Sequence, residues 1–278
     1  MFIKPMLLDT AKDIFDSDEY IYEPKSNGVR MELITTDNEI KLYTRHGNEI
    51  TSSLPEITQL DIPDGMILDG ELVCYSDATT EDFEAVMARI KAKSERKINE
   101  LMKDYPCTYI VFDILQHKNE MVARFPLTNR IELLEQVVEN QDNLRKVVRT
   151  SNGTALFELI KQHQLEGVVA KKLTSTYHIG KRPKDLWLKI INWRYSDCYI
   201  VGYHKDEFGW VITDNEGNYL GVVEFGASPD SKKEFYKKAV DTGEKNSTKS
   251  IDPLPCIVKH RGYLKSGKLF TPVFVSFI

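Results

Sequence analysis

A chain of 278 residues with 41% hydrophobic and 10% aromatic content can bury a core of ordinary size and is expected to divide into two domains. Its net charge of −5 excludes a wholly basic nucleic-acid module but leaves room for a local basic track. No apolar run approaches the roughly 18 residues of a membrane span, and the start, Met1 to Met6, has neither the apolar stretch nor the cleavage site of a secretory signal, so a cytoplasmic protein is expected. Cys74, Cys107, Cys198 and Cys256 lie far apart with no Cys-x-x-Cys pair, which excludes a zinc knuckle and a disulfide framework and leaves reduced, half-buried strand residues.

In chain order, strand-like runs come first, at Tyr20 to Tyr22, Val29 to Thr35, Ile40 to Tyr43 and Met66 to Tyr75, with Asp37-Asn38 as a hairpin signal. Between the first two lies Pro24-Lys25-Ser26-Asn27-Gly28, turn chemistry that presents a lysine from rigid backbone. Helical spacing of Phe83, Val86, Met87 and Ile90 predicts a helix over Thr80 to Lys103. Tyr109 to Leu115 is a buried strand interrupted only by Asp113. Leu127 to Glu139 and Thr154 to Gln164 are amphipathic helices, each opening on a threonine suited to capping. Glu166 to Lys171 and Trp187 to Ile191 are two more strands. From about Asn192 the character changes: Cys198 to His204, Gly209 to Asp214, Tyr219 to Phe225, Cys256 to Tyr263 and Lys268 to Phe277 are short strands, with a helix over Asp230 to Asp241. Five strands and one helix form the pattern of an OB-like barrel, within which 242–255 reads as a mobile loop.

Charges inside apolar strands are expensive. Lys25 follows one strand, Glu71 sits in Asp69-Gly70-Glu71-Leu72-Val73, Glu166 opens an otherwise apolar strand, and Lys189 interrupts Trp187 to Ile191. Together they suggest strands converging on one anionic, metal-bearing ligand.

The order of Lys25-Ser26-Asn27-Gly28-Val29-Arg30, Thr44-Arg45-His46-Gly47, Asp69-Gly70-Glu71, Val111-Phe112-Asp113, Glu166-Gly167-Val168-Val169 and Leu188-Lys189 follows the motifs of covalent nucleotidyltransferases. With Tyr177 to Arg182 ahead of Trp187-Leu188-Lys189, the chain resembles a small ATP-dependent DNA ligase of the compact bacterial or phage type. The resemblance implies an α+β fold: an adenylation domain of antiparallel sheets with flanking helices over 1–191, then an OB-fold domain over 192–278. It implies that Lys25 attacks the α-phosphate of ATP, that AMP passes to the 5′-phosphate of a nick, and that the 3′-hydroxyl displaces it. Glu23, Arg30, Arg45, Glu71, Phe112 and Lys189 are then expected around the nucleotide, Glu166 and Glu71 at Mg²⁺ or Mn²⁺, and Arg45, Lys171, Lys181 and Arg182 against DNA. The implied partner is nicked double-stranded DNA and the implied state a monomer, nucleoid-associated or phage-encoded in a bacterial cytoplasm.

Three departures from the family pattern stand out. Asn27 occupies a position usually held by aspartate, and Ile191 one usually held by a second lysine. The family's terminal Arg-x-Asp-Lys motif has no counterpart before Ile278, so the OB-fold domain is expected to lack it. The competing readings are an RNA ligase or capping-type guanylyltransferase, which shares the core motifs, and a degenerate nick-binding protein without catalysis.

Overall fold

The computed structural model describes residues 1–77, 80–245 and 247–278. The chain forms two units, Met1–Asn192 and Trp193–Ile278.

The first unit contains two sheets. The strands are β1 (Asp9–Thr10), β2 (Tyr20–Pro24), β3 (Val29–Thr36), β4 (Glu39–Thr44), β5 (Ile67–Cys74), β6 (Cys107–His117), β7 (Glu120–Met121), β8 (Leu144–Lys146), β9 (Gly167–Lys172) and β10 (Trp187–Ile191). One sheet runs β1-β10-β9-β2, antiparallel except where β1 joins β10. The other runs β4-β3-β5-β6-β7, with β8 alongside β6. Asp37 and Asn38 adopt φ of 53° and 61°, the left-handed pair a two-residue hairpin demands, and so turn β3 into β4.

The helices of this unit are α1 (Pro55–Thr58), α2 (Phe83–Lys91), α3 (Glu95–Asp104), α4 (Leu127–Val137) and α5 (Gly153–Gln162). The helix expected across 80–103 is thus two. Asp82 caps α2 by accepting the Ala85 N–H, and Ser94 opens α3 by accepting the Lys97 N–H, because a serine oxygen competes for backbone donors better at a cap than inside a helix. Neither threonine cap forms as expected. Pro126 precedes α4 with no side-chain cap, Asn152 caps α5, and the Thr154 hydroxyl instead donates to Asp16 at 2.5 Å.

Met31, Leu33, Leu42, Leu68, Leu72, Tyr109 and Val111 turn one face of the larger sheet into the main core, closed by α1 and α2 residues such as Ile57 and Val86. Tyr22, Val168, Ala170, Leu188 and Ile190 turn the outer face of the smaller sheet into a second core with Ile160 of α5. A third cluster, with Ile34, Ile67, Leu115 and Trp187, brings residues of both sheets together.

The second unit is a curled antiparallel sheet of OB type. β11 (Arg194–His204), β12 (Trp210–Thr213), β13 (Tyr219–Val223), β14 (Asp241–Lys245), β15 (Thr248–His260) and β16 (Val273–Phe277) pair in the order β13-β12-β11-β15-β14, with β16 on β15. Helix α6 (Pro229–Lys238) places Phe235 4.7 Å from the Trp210 ring in the core. The loop expected at 242–255 is for the most part a hairpin of β14 and β15, apart from residue 246, which lies outside the described residues. It is fastened by buried Ile251 and a 2.6 Å ion pair between Lys249 and Asp241. All four cysteines are free and fully buried rather than half-buried. Among the described residues, no helix is long and apolar enough to cross a membrane.

Candidate active site

Strand alternation makes the cleft. With Tyr22, Val168, Ala170, Leu188 and Ile190 committed to the core beside α5, the residues between them, Glu23, Val169, Lys171, Trp187 and Lys189, face the other way. On β3, Met31 and Leu33 enter the main core, so Arg30, Glu32 and Ile34 take the opposite face. The resulting cleft is lined by Glu23, Lys25, Arg30, Glu71, Phe112 and Lys171, with Trp187 beside them.

The turn carrying Lys25 is held on both sides. Its N–H donates to the Gly167 carbonyl at 2.9 Å. Gly28 presses so closely on β5 that an added Cβ would lie 2.2 Å from the Leu72 carbonyl oxygen, which explains a glycine there. The Lys25 ammonium reaches Glu166 Oε1 at 2.9 Å, a carboxylate only 4% exposed at the start of β9. Glu81, just ahead of α2, accepts the Asn27 N–H at 2.5 Å.

The walls form a charge network. Glu23 is bound by Lys171 at 2.6 Å and by Arg149 at 3.0 Å, while Arg149 also donates to the Phe112 carbonyl at 3.0 Å. Lys171 Nζ lies 4.1 Å from the Phe112 ring centroid and 4.3 Å from that of Trp187. Burial lowers its pKa, with Glu23 opposing. Arg30 forks onto Asp69 at 2.9 and 2.5 Å, and the Tyr177 hydroxyl donates to Asp69 at 2.6 Å. Desolvation opposes the Arg30 charge, but Asp69 together with Tyr177 and Glu71 more than offsets it and holds the pKa above the usual value. Burial pushes the Glu71 carboxyl up to about 7, against the nearby Lys25 and Arg30 and with help from the Glu166 charge. A cation near these two carboxylates would relieve that repulsion. Mg²⁺ commonly takes one or two carboxylates and completes its shell with water and phosphate oxygens, so the pair fits such an ion, although no cluster of three His, Cys, Asp or Glu exists among the described residues.

Of the residues singled out in the sequence, Glu23, Lys25, Arg30, Glu71 and Phe112 line the cleft, and Glu166 joins it through Lys25. Lys189 does not line it; it lies on β10 in register with Val169, which does. Arg45 does not line it; it sits on the exposed turn after β4, its Nε 3.1 Å from His46 Nε2. Lys181 and Arg182 are exposed between β9 and β10. Lys171, expected against DNA, is instead buried in the cleft wall, 2% exposed, because its place in β9 alternates with core residues. The sequence reading missed Asp69, Arg149, Tyr177, Trp187 and Glu81 as site residues. Asp69 was within reach, since it stands two residues from Glu71 on one strand and shares its face.

Two sheets converging on a lysine held in the turn between β2 and β3, followed by an OB-fold unit, define a covalent nucleotidyltransferase fold. Residues 5–190 match the ATP dependent DNA ligase domain family, and the chain belongs to the ATP-dependent DNA ligases, enzymes that use ATP and work through a covalent nucleotidyl intermediate. It is 39% identical over 277 residues to the SPbeta prophage-derived DNA ligase-like protein LigB of Bacillus subtilis, covering 99% of each chain. It is 28% identical over 209 residues to the bifunctional non-homologous end joining protein LigD of the same organism, spanning 34% of that longer protein and 68% of its own length. Among solved structures it shares the fold of a Lig E DNA ligase, with a TM-score of 0.75, 18% identity and full coverage of both chains. A mycobacterial DNA ligase D complexed with ATP and MES gives a TM-score of 0.62 at 20% identity, covering 99% of this chain and 95% of that one.

Proposed function

We propose that this ligase seals 5′-phosphate/3′-hydroxyl nicks in double-stranded DNA with Lys25 as its nucleophile. The observation that carries the reading is the Lys25 ammonium, fixed by rigid backbone at a cleft that also presents Glu71, Glu166 and Phe112. Phe112 offers a flat apolar surface to adenine, and Glu71 an acceptor to the ribose hydroxyls. Glu166 keeps Nζ aimed into the cleft in the resting state. The Lys25 ammonium gives one proton to solvent, the neutral amine attacks the α-phosphorus, the bond to the bridging oxygen of the β-phosphate breaks, and a second N–H proton leaves to solvent, giving lysyl-AMP and pyrophosphate. Glu166 with Glu71 would hold Mg²⁺, which when bound would supply charge neutralisation to the phosphates. Buried Lys171 in the cleft wall, with Lys189 on the same face of the sheet, brings positive charge toward the phosphates, and Lys171 offsets the absence of a second lysine at Ile191. Lys181 and Arg182 meet DNA from the exposed surface.

Intact-mass measurement after incubation with ATP and Mg²⁺ tests the assignment. The native chain gains one AMP, whereas Lys25→Arg, which keeps the charge but does not lose its proton, gains none. An adduct on Lys25→Arg would move the nucleophile elsewhere, and an adduct with GTP but not ATP would favour a capping-type enzyme.

A further inference from the structure

The four residues of the nucleophile turn are each restrained. Lys25 is held through its N–H by Gly167, and Gly28 by steric contact with Leu72. Ser26 and Asn27 are held by one side chain: Glu81 accepts the Asn27 N–H at 2.5 Å and a hydrogen bond from the Ser26 side chain. Glu81 is itself fixed at both ends. It bridges back to Tyr75 at the end of β5, and the next residue, Asp82, caps α2. Its carboxyl is largely buried, and burial raises its pKa while the two hydrogen bonds from the turn oppose that rise. A carboxylate withdrawn from water and spent on backbone of the nucleophile turn is costly unless the turn's geometry matters.

We propose that Glu81 is a positioning residue for nucleotidyl transfer: by accepting hydrogen bonds from Ser26 and Asn27 it fixes the turn so that the Lys25 amine stands in line with the α-phosphate. It acts through the turn and does not touch the nucleotide. The inference rests on Lys25 being the residue that receives AMP. A misplacement near 1 Å can cost about a hundredfold in rate, and a loosened turn falls somewhat short of that limit.

The test compares Glu81→Ala and Glu81→Gln with the native chain in single-turnover formation of lysyl-AMP. At saturating ATP, E81A is slowed roughly 30-fold while its half-saturating ATP concentration stays within about threefold, the signature of lost alignment rather than lost binding. E81Q keeps an oxygen acceptor and recovers to within about fivefold of native. Sealing of a pre-adenylylated nick, which does not call on the Lys25 amine, is slowed at least tenfold less than adduct formation by E81A. If E81A stays within about twofold of native, or slows both reactions equally, the positioning role is overturned. No adduct on the native chain would overturn the Lys25 assignment and this inference with it, whereas a native adduct left untouched by E81A would overturn this inference alone.

Discussion

Glu166 and Lys25 share an ion pair whose carboxylate is 4% exposed, so removing one charge leaves the other in a poorly solvated place. Glu166→Gln preserves shape and a single acceptor but removes the charge that suits a divalent ion. Metal-dependent lysyl-AMP formation is expected to fall roughly 100-fold, with nicked-DNA affinity changed less than about threefold. Adenylylation rates across a Mg²⁺ titration, with filter binding on the same protein, check this; an unchanged Mg²⁺ dependence would place the ion elsewhere. Lys25, Glu71 and Glu166 were legible in the sequence because charges in or beside apolar strands are conspicuous and because their order follows the motifs of the ligase family. Arg149 and Glu81 were not, because their partners lie 126 and 54 residues away and neither sits in a periodic element. At Asn27, where the family pattern has a carboxylate, the structure instead brings the Glu81 carboxylate to the main chain. Lys171 shows the opposite failure: a bunch of cations suggests a surface, yet strand alternation sends this one inward.

At the scale of elements, β3 ties the N-terminal segment to the larger sheet. Glu32 Oε1 accepts the Ile3 N–H at 2.8 Å, and Glu32 stands opposite Asp69 of β5. Burial pushes the Glu32 carboxyl up to about 8 from an ordinary 4.5, the Ile3 N–H opposing and the Asp69 charge adding to the rise. The folded chain therefore holds this proton more tightly than the unfolded one. The associated stability is fully present below about pH 4.5 and is lost as pH rises through about 8. Glu32→Gln mimics the protonated form at every pH, so its melting temperature should exceed the native value by roughly 3 °C at pH 9 and match it near pH 4.5. Thermal melts of both proteins across that range decide the point, and parallel curves would refute it. The strand order of the chain was readable because turns and alternation are local. The break between α2 and α3 was not legible because a serine is compatible with a helix interior as well as with a cap, and Ser94 is fixed as a cap only once its oxygen takes the Lys97 N–H. The β14–β15 hairpin was hidden for a related reason: Gly, Lys, Ser and Thr mark a loop by composition, while buried Ile251 that makes it a strand is one residue in fourteen of the stretch from 242 to 255.

Across the whole molecule, the net charge of −5 conceals a division. Residues 193–278 carry twelve Lys and Arg against eleven Asp and Glu, so the negative excess belongs to residues 1–192. Four carboxylates of that unit, Glu23, Asp69, Asp113 and Glu166, are each paired with a buried or half-buried cation, so those charges are compensated locally. Exposed cations remain on the surface of the first unit at Lys181 and Arg182, and on the second at Lys265 and Lys268, the latter 5.0 Å from the Tyr219 ring centroid. A net negative protein can therefore bind DNA through local contacts, and each phosphate neutralised adds about 0.9 to the slope of log affinity against log salt. For the native chain on nicked duplex, a slope of about −3 or steeper is expected, which corresponds to three or more phosphates. Lys181→Ala with Arg182→Ala should reduce that slope by about 2 and weaken binding similarly for every sequence around the nick, since phosphate contacts carry no base information. Fluorescence anisotropy at several salt concentrations measures both quantities. A slope left unchanged by the double substitution would remove these two residues from the DNA-facing surface, and a flat affinity for the native chain would remove phosphate tracking altogether.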